Sequence, residues 1–513
     1  MTARFVLFVC CALLSVSAGL TSARAQLTQT TRIELPADPG RAEDFDVLPL
    51  AGRGLLVTIR KDDYLVRSPP EIQFQRYDTD LKPRWITTLR PDEKFVPLLD
   101  YHNELYKFWL YHQPDTDNYQ IIRLNTDDGL AEVFAGDLLA GLVIQHFKVL
   151  GNRAYIGGTY RSRPVVMSYS FFDRSTAVLP GLYGNQTEIN SVEVDEIRQE
   201  IHVLVHSLRR KCQFRIHTFT YQNKPLRTVT FDGAEHSLVS GKLLTINADE
   251  LLLVGNYSSD CSPYSEGIYV TRIRHGDDQP DVIRYIEFAR LQNFFNYLKP
   301  KQQQKLRNRM ARRQQEGKDT RLRYRLLVHN PLPTAEGLLL VAEVYYPQYR
   351  NAPIPGYTGQ LSTGFNNRVG KVLESFHYTH AFVCGFDRQG NLLWDNCLPI
   401  RDLESDRLMP MVQVSQQGDR LVLAYPDKGE ITTEVIEGSR VLKDREQFTL
   451  KTGSEAEKVL FSSNDNLAAW YGQYFLAFGN QKIAPDRGFN GPQREVFYIN
   501  KLTYPVDNLV IKN

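Results

Sequence analysis

The stretch His377-Tyr-Thr-His-Ala-Phe-Val-Cys-Gly-Phe-Asp-Arg-Gln-Gly-Asn-Leu-Leu-Trp-Asp-Asn-Cys-Leu-Pro-Ile400 reads as two short strands around an Asp-Arg-Gln-Gly-Asn turn. Its middle, Phe386 to Trp394, matches Tyr77 to Trp85 in length, in the aromatic-Asp start and in the closing Trp. Weaker copies start at Leu124, Phe172 and Phe219, so the first four anchors stand 47 or 48 residues apart. Less regular anchors follow near Ile273, Phe386, Ile436 and Tyr498.

A second signal precedes each anchor, a polar turn that leads into an apolar run. Gly54 to Ile59, Ala154 to Tyr160, Glu200 to Val205, Glu250 to Gly255, Gly337 to Val341 and Arg420 to Ala424 are examples. Each period therefore holds about four strands, in the order strand, turn, apolar strand, loop, strand, tight turn, strand. A four-stranded sheet repeated at 40 to 50 residues cannot bury both faces until neighbours stack on it, and this predicts an all-β propeller. Eight anchors predict eight blades. Seven is the alternative count, with the strand around Thr31 to Leu35 closing an irregular last unit; two or three β-sandwiches also fit strands at this spacing.

Composition agrees with a folded β protein, with 27 Tyr, 26 Phe and 61 basic against 59 acidic side chains. Residues 1–25 have the order of a secretory signal peptide: Arg4, an apolar run from Phe5 to Leu14, then Ala23-Arg24-Ala25, with cleavage expected before Gln26. The run is shorter than the roughly 20 apolar residues that span a bilayer. No later stretch is apolar enough to span a membrane, so residues 26–513 are expected to form one propeller in the periplasm or outside the cell. Four cysteines then remain, and an even number in an exported chain favours disulfides. Placement on the repeats predicts Cys384 with Cys397, and Cys212 with Cys261. Simple register puts Cys384 opposite Asp395, so the first pair needs a bulge or a diagonal bridge, and four reduced thiols are the alternative.

Two segments break the rhythm. Residues 288–325 turn helical, with Leu291, Phe294, Phe295 and Leu298 at helical spacing, Pro300 suited to start a second helix and Gly317 to end it. Between Lys299 and Arg325 this insertion, placed between the fifth and sixth blades, carries eleven Lys or Arg against Glu316 and Asp319. Lys305, Arg307, Arg309, Arg312 and Arg313 are its anion-binding candidates, for an anionic surface polymer or another glycan. Export argues against nucleic acid, and a solvated helix face is the plain alternative. Residues 347–371, rich in Gly, Pro and Asn, are expected to form a long loop.

The sixth unit gathers the candidate catalytic groups. Glu343 lies in an apolar strand and must be partnered. With Asp395 it forms a candidate acid and base pair, with His377 or His380 beside them. The two histidines are three apart on a strand and point to opposite faces, so no metal pair is assigned. Turn aspartates such as Asp78, Asp127 and Asp387 read as local caps. Nucleophile-elbow, Walker, dinucleotide and Cys-x-x-Cys signatures are absent from residues 26–513, and no cofactor is expected. Asn185 and Asn256 fit the glycosylation sequon.

In the same unit, Arg325-Leu-Leu-Val-His329, Glu343-Val-Tyr-Tyr-Pro347, Tyr378-Thr-His-Ala381, Gly385-Phe-Asp387 and Gly390 through Asn396 resemble uncharacterised exported proteins of Bacteroidetes-type bacteria. The resemblance covers residues 299–400, about a fifth of the chain, and brings no activity with it. The functional expectation is a non-enzymatic exported scaffold that binds an envelope protein or an anionic glycan, with a glycan-active hydrolase or lyase as the alternative.

Overall fold

In a computed structural model the chain forms an eight-bladed β-propeller. It describes residues 26–37, 42–62, 71–184, 186–207, 212–233, 235–318, 321–353, 369–486 and 492–506. The expected signal peptide and Asn185 lie outside them. Blades one to seven occupy residues 42–89, 96–137, 143–178, 187–231, 237–287, 325–405 and 413–449. The eighth combines residues 457–503 with the N-terminal strand Thr28–Pro36, which pairs antiparallel with Arg494–Thr503 at the blade's outer edge. The leading count of eight holds and the alternative of seven does not, while the closing N-terminal strand that went with the seven-blade count is present and completes the eighth blade.

The apolar runs are second strands, such as Leu55–Asp62 and Glu250–Ser258. They are apolar along their length because both sheet faces are covered. The buried side chains fall into eight clusters, each filling the wedge between two neighbouring blades. The cluster that closes the ring packs Leu55, Val57, Tyr77 and Leu81 of the first blade on Trp470, Leu476, Phe497 and Ile499 of the eighth. There Trp470 Nε1 donates to Gly54 O at 2.8 Å.

The signature turn owes its form to its first residue. Asp387 Oδ1 accepts the Gln389 and Asn391 amides at 2.9 and 2.8 Å, and Asp78 Oδ1 accepts those of Asp80 and Lys82 at 2.9 Å each. Gly390 takes the left-handed conformation, φ 78°, that the turn demands. In the copy Leu81 holds φ 61°. It is buried against the eighth blade, and burial of such a side chain, worth about 2 kcal/mol, offsets the strain of about 1 to 2 kcal/mol. The closing Trp stitches each turn to the next blade: Trp85 Nε1 donates to Asp127 O at 2.8 Å, and Trp394 packs beside Gly438. The anchor at Phe172 needs correction. It lies in the turn and is 89% exposed, while Tyr169 and Phe171 pack inward.

The helical insertion stands where expected, between the fifth and sixth blades numbered from Ala42, or the sixth and seventh if the blade holding the N-terminal strand is counted first. Two 3-10 turns, Phe288–Arg290 and Phe294–Tyr297, precede helix α1 (Pro300–Gln315). Gly317, φ 64°, follows its end. The expected loop 347–371 is corrected: strands Gly337–Pro353 and Val369–Asp387 run into it from both sides and form a long hairpin arm, with residues 354–368 outside the described ones.

Candidate binding face

Antiparallel order within a blade sends the joins between second and third strands, and those between blades, to one face of the ring. The remaining turns emerge on the other. On this second face the third-to-fourth turns are short in most blades and built on the capping residue described above. The first face carries the disulfide-tied loops, the helical insertion and the hairpin arm, contiguous on blades four to six, while the second face has one longer turn at 275–283 of the fifth blade among the described residues.

The Cys212–Cys261 disulfide, Cα to Cα 5.4 Å, ties the end of the fourth blade's loop to the loop of the fifth. That loop holds the returning end of the insertion. Ser265 N donates to Tyr324 O at 2.7 Å, and Tyr324 N to Ser265 O at 3.0 Å. Arg323 Nε lies 3.0 Å from Glu266 Oε1, and the Arg325 guanidinium covers the Tyr264 ring at 5.0 Å. From Tyr346 outward the arm of the sixth blade extends beyond its first strand, whose last partner is Tyr345. Tyr346, Tyr349, Val372 and Leu373 are exposed on it.

The insertion is rooted on the outer flank of the sixth blade. Asp395 on the outer strand accepts Gln292 N at 2.9 Å and Asn293 N at 2.7 Å, as a cap for the turn that begins at Phe294. Tyr297 stacks on His380 at 3.8 Å and Phe294 meets the same ring edge-on at 5.0 Å. Burial pushes the His380 imidazole down to about 3, so it serves as a neutral ring in an aromatic nest. His377 lies elsewhere, under Tyr346 and 3.3 Å from Glu404.

Glu343 is fully enclosed and is partnered through one of its two oxygens, while Oε2 has no hydrogen-bond partner among the described residues. Its Oε1 accepts Met411 N, Val412 N and His329 Nε2, each at 2.8 Å, and so fastens the link to the seventh blade. The structure does not bring it to Asp395. Glu343 shares a row with Ala381, and Asp395 a row with Cys384. Three residues apart on an unbulged stretch of strand, those rows face opposite sides, Ala381 toward the seventh blade and Cys384 toward the fifth. The expected acid and base pair is thus split by its own sheet.

The Cys384–Cys397 bridge is also corrected: both are buried free thiols. Cys397 stands opposite Phe382, so the two are diagonal neighbours, about 7 to 8 Å apart, beyond disulfide reach. The sequon at Asn256 is buried, with its side-chain amide donating to Ser265 Oγ at 2.5 Å.

Three charged groups lie outside the candidates that the sequence offers. In the fourth blade Asp195 Oδ2 meets Thr245 Oγ1 at 3.0 Å, Arg198 at 3.3 Å and His202 at 3.7 Å, while Arg227 approaches Glu200 at 3.6 Å. All five charged or ionisable side chains are nearly inaccessible, and burial of Asp195 is outweighed by His202, the Arg198 amide and Thr245, which hold its carboxyl at about 2. Near the axis, enclosed Lys107 contacts Asp100 and lies 3.9 Å from Asp46, and Lys148 lies 3.8 Å from Glu193. In the seventh blade, burial pushes Glu434 up to about 7 against the pull of Arg445. A pattern of acidic and basic residues on adjoining strands was the only sequence signal for the first two.

A pocket of about 320 Å³ lies between the third and fourth blades, lined by Leu182, Tyr183, Thr187, Arg215 and His217 among others. No carboxylate lines it, so it lacks the pair that most glycosidases use. Among the described residues no three His, Cys, Asp or Glu side chains are placed to hold a metal, and no helix is long and apolar enough to cross a membrane.

No family model matches the chain, and no curated protein matches it. Solved structures similar to it are propellers or proteins that contain one. The Dos1 propeller matches at 7% identity and TM-score 0.40, over 93% of this chain and 96% of that one. The polysaccharide lyase Uly1 matches at 10% identity and TM-score 0.37, over 79% and 89%. The β-propeller domain of the Trilobed protease from Pyrococcus furiosus, which has an open velcro topology, matches at 7% and 0.35, over 78% and 97%. Likeness at this level says nothing of what the chain does.

Proposed function

We propose that this chain is an exported, non-enzymatic propeller that binds an envelope or extracellular partner through the decorated sector of blades four to six. One observation carries the reading: the disulfide-tied loop, the basic insertion and the hairpin arm are contiguous on a ring whose other face is made largely of short capped turns. Loops on a rigid scaffold are where binding residues concentrate. Exposed Tyr346 and Tyr349 supply the amphipathic contact area common at recognition surfaces. The hydrolase alternative needs two carboxylates facing one sugar, and Glu343 and Asp395 face apart.

The test places a photo-crosslinking amino acid, in the native host, at Tyr346 or Lys305 and, on the opposite face, at Phe172 or Val282. Crosslinked species are expected from the first two positions and not from the second two. Equal crosslinking from both faces would overturn the reading. The mass of the purified product tests export in the same material, with a mature chain expected to begin at Gln26.

A further inference from the structure

Helix α1 rests on the body through a narrow stripe. Gln303, Leu306, Met310 and Arg313 are its half-buried residues, at spacings of three, four and three, and Leu306 and Met310 pack against the core between the fifth and sixth blades. Arg307 is committed at the flank, donating to Gln292 O at 2.7 Å and covering the Phe295 ring. The opposite side carries Lys301, Lys305, Arg309 and Arg312, at spacings of four, four and three, all exposed. Among the described residues Lys301, Lys305 and Arg309 form no ion pair, and Arg312 has only Glu316 at 3.9 Å. The helix contains no acidic residue at all.

Four cations thus stand in one row, roughly 16 Å long at the helical rise per residue. Exposed Gln304 and Asn308 run alongside, their side chains joined by a 2.8 Å hydrogen bond. We infer that this row is the contact for a linear acidic polysaccharide, one with carboxylate or sulfate groups at short regular intervals. The inference rests on the binding-face reading above and names the ligand class of that face. Charge complementarity supplies the attraction, and the amide pair offers donors and acceptors to sugar hydroxyls. A lipid surface fits less well. Helices that lie in a bilayer interface immerse an apolar face, and here the apolar side chains are turned down onto the blades.

The experiment measures binding of the mature chain to polygalacturonate, to dextran sulfate, to neutral dextran and to phosphatidylglycerol vesicles over a range of salt. Wild type is expected to bind one or both acidic polymers, with affinity falling as salt rises, and to ignore neutral dextran. Combined Lys301→Ser, Lys305→Ser, Arg309→Ser and Arg312→Ser should weaken that binding at least tenfold and flatten its salt dependence, with an unchanged melting temperature. A charge-matched control, Arg84→Ser, Arg90→Ser, Lys224→Ser and Arg388→Ser, should bind within about twofold of wild type. Equal loss in both variants would reduce the effect to net charge and overturn the inference, as would vesicle binding as tight as polymer binding. Failure of wild type to bind either polymer would overturn the ligand class, and crosslinking at Lys305 but not Phe172 would then leave the binding face standing.

Discussion

The carboxylates of the sixth blade and the bases of the neighbouring helix differ in what their surroundings leave undone. Glu343 and Asp395 are buried and hold parts of the fold: Oε1 of Glu343 takes two backbone amides and His329, with Oε2 enclosed and unpartnered among the described residues, and Asp395 takes two amides. Lys301, Lys305 and Arg309 lie in water, with no ion pair among the described residues. A polar group that folding has buried must be satisfied by folding, whereas an exposed one remains available to a partner. Polar residues in an apolar setting therefore marked structural joints in this chain, and the charge run in a polar setting marks the surface that we propose for recognition.

That contrast breaks first at Glu343. Changing Glu343→Ala strands the Met411 and Val412 amides and His329 in the interior, and should lower stability by about 3 kcal/mol or more, read by denaturant unfolding. A loss below about 1 kcal/mol would mean the carboxylate is held for something other than the blade link. Next comes the knot of the fourth blade. The Asp195 carboxyl sits at about 2 in the folded chain, below its ordinary value of 3.8. A depressed folded value contributes stability above the unfolded value and loses it as pH falls toward the folded one. Wild type should therefore lose roughly 2 kcal/mol between about pH 5 and pH 2 through this group, and Asp195→Asn should flatten that part of the profile. Glu34 has the same sign: burial raises its carboxyl, but Arg32 and Arg494 outweigh burial and hold it below the ordinary range. The smallest expected effect is at Asp395. Asp395→Ala should cost about 1 to 2 kcal/mol and speed proteolytic nicking of the insertion, read by limited digestion, while blade packing persists. Unchanged digestion would show that the aromatic nest alone anchors the insertion.

The fold was legible because its signals are local and repeated. An apolar second strand recurs in blade after blade, and the aspartate that caps its own turn and the tryptophan that reaches the next turn repeat together at Asp78 to Trp85 and at Asp387 to Trp394; each can be read without knowing what lies across the ring. The N-terminal closing strand was legible for the same reason, as a strand left over at one end. The candidate site was less so. Glu343 and Asp395 look alike in sequence, and only strand register tells that they face opposite wedges. Cys384 and Cys397 likewise sit on the arms of one hairpin, yet two rows of offset separate a diagonal pair from a bridge. The Cys212–Cys261 bridge was found because whole-blade spacing, which the repeat supplies, is a coarser quantity than register. His329 and the Asp195 knot were missed since their partners come from neighbouring strands or blades.

The closure of the ring also has a consequence in time. Thr28 pairs with Thr503, a separation of 475 residues. The first strand to be synthesised must wait for the last, and contacts between residues so far apart form slowly. Until residues 494–503 arrive, the eighth blade has no third strand and the wedge beneath Trp470 stays open. A chain that crosses a membrane in order, N-terminus first, would thus hold an unpaired strand on the far side while its final blade is still in transit, and that interval is when it is most exposed to aggregation or to a chaperone's grip.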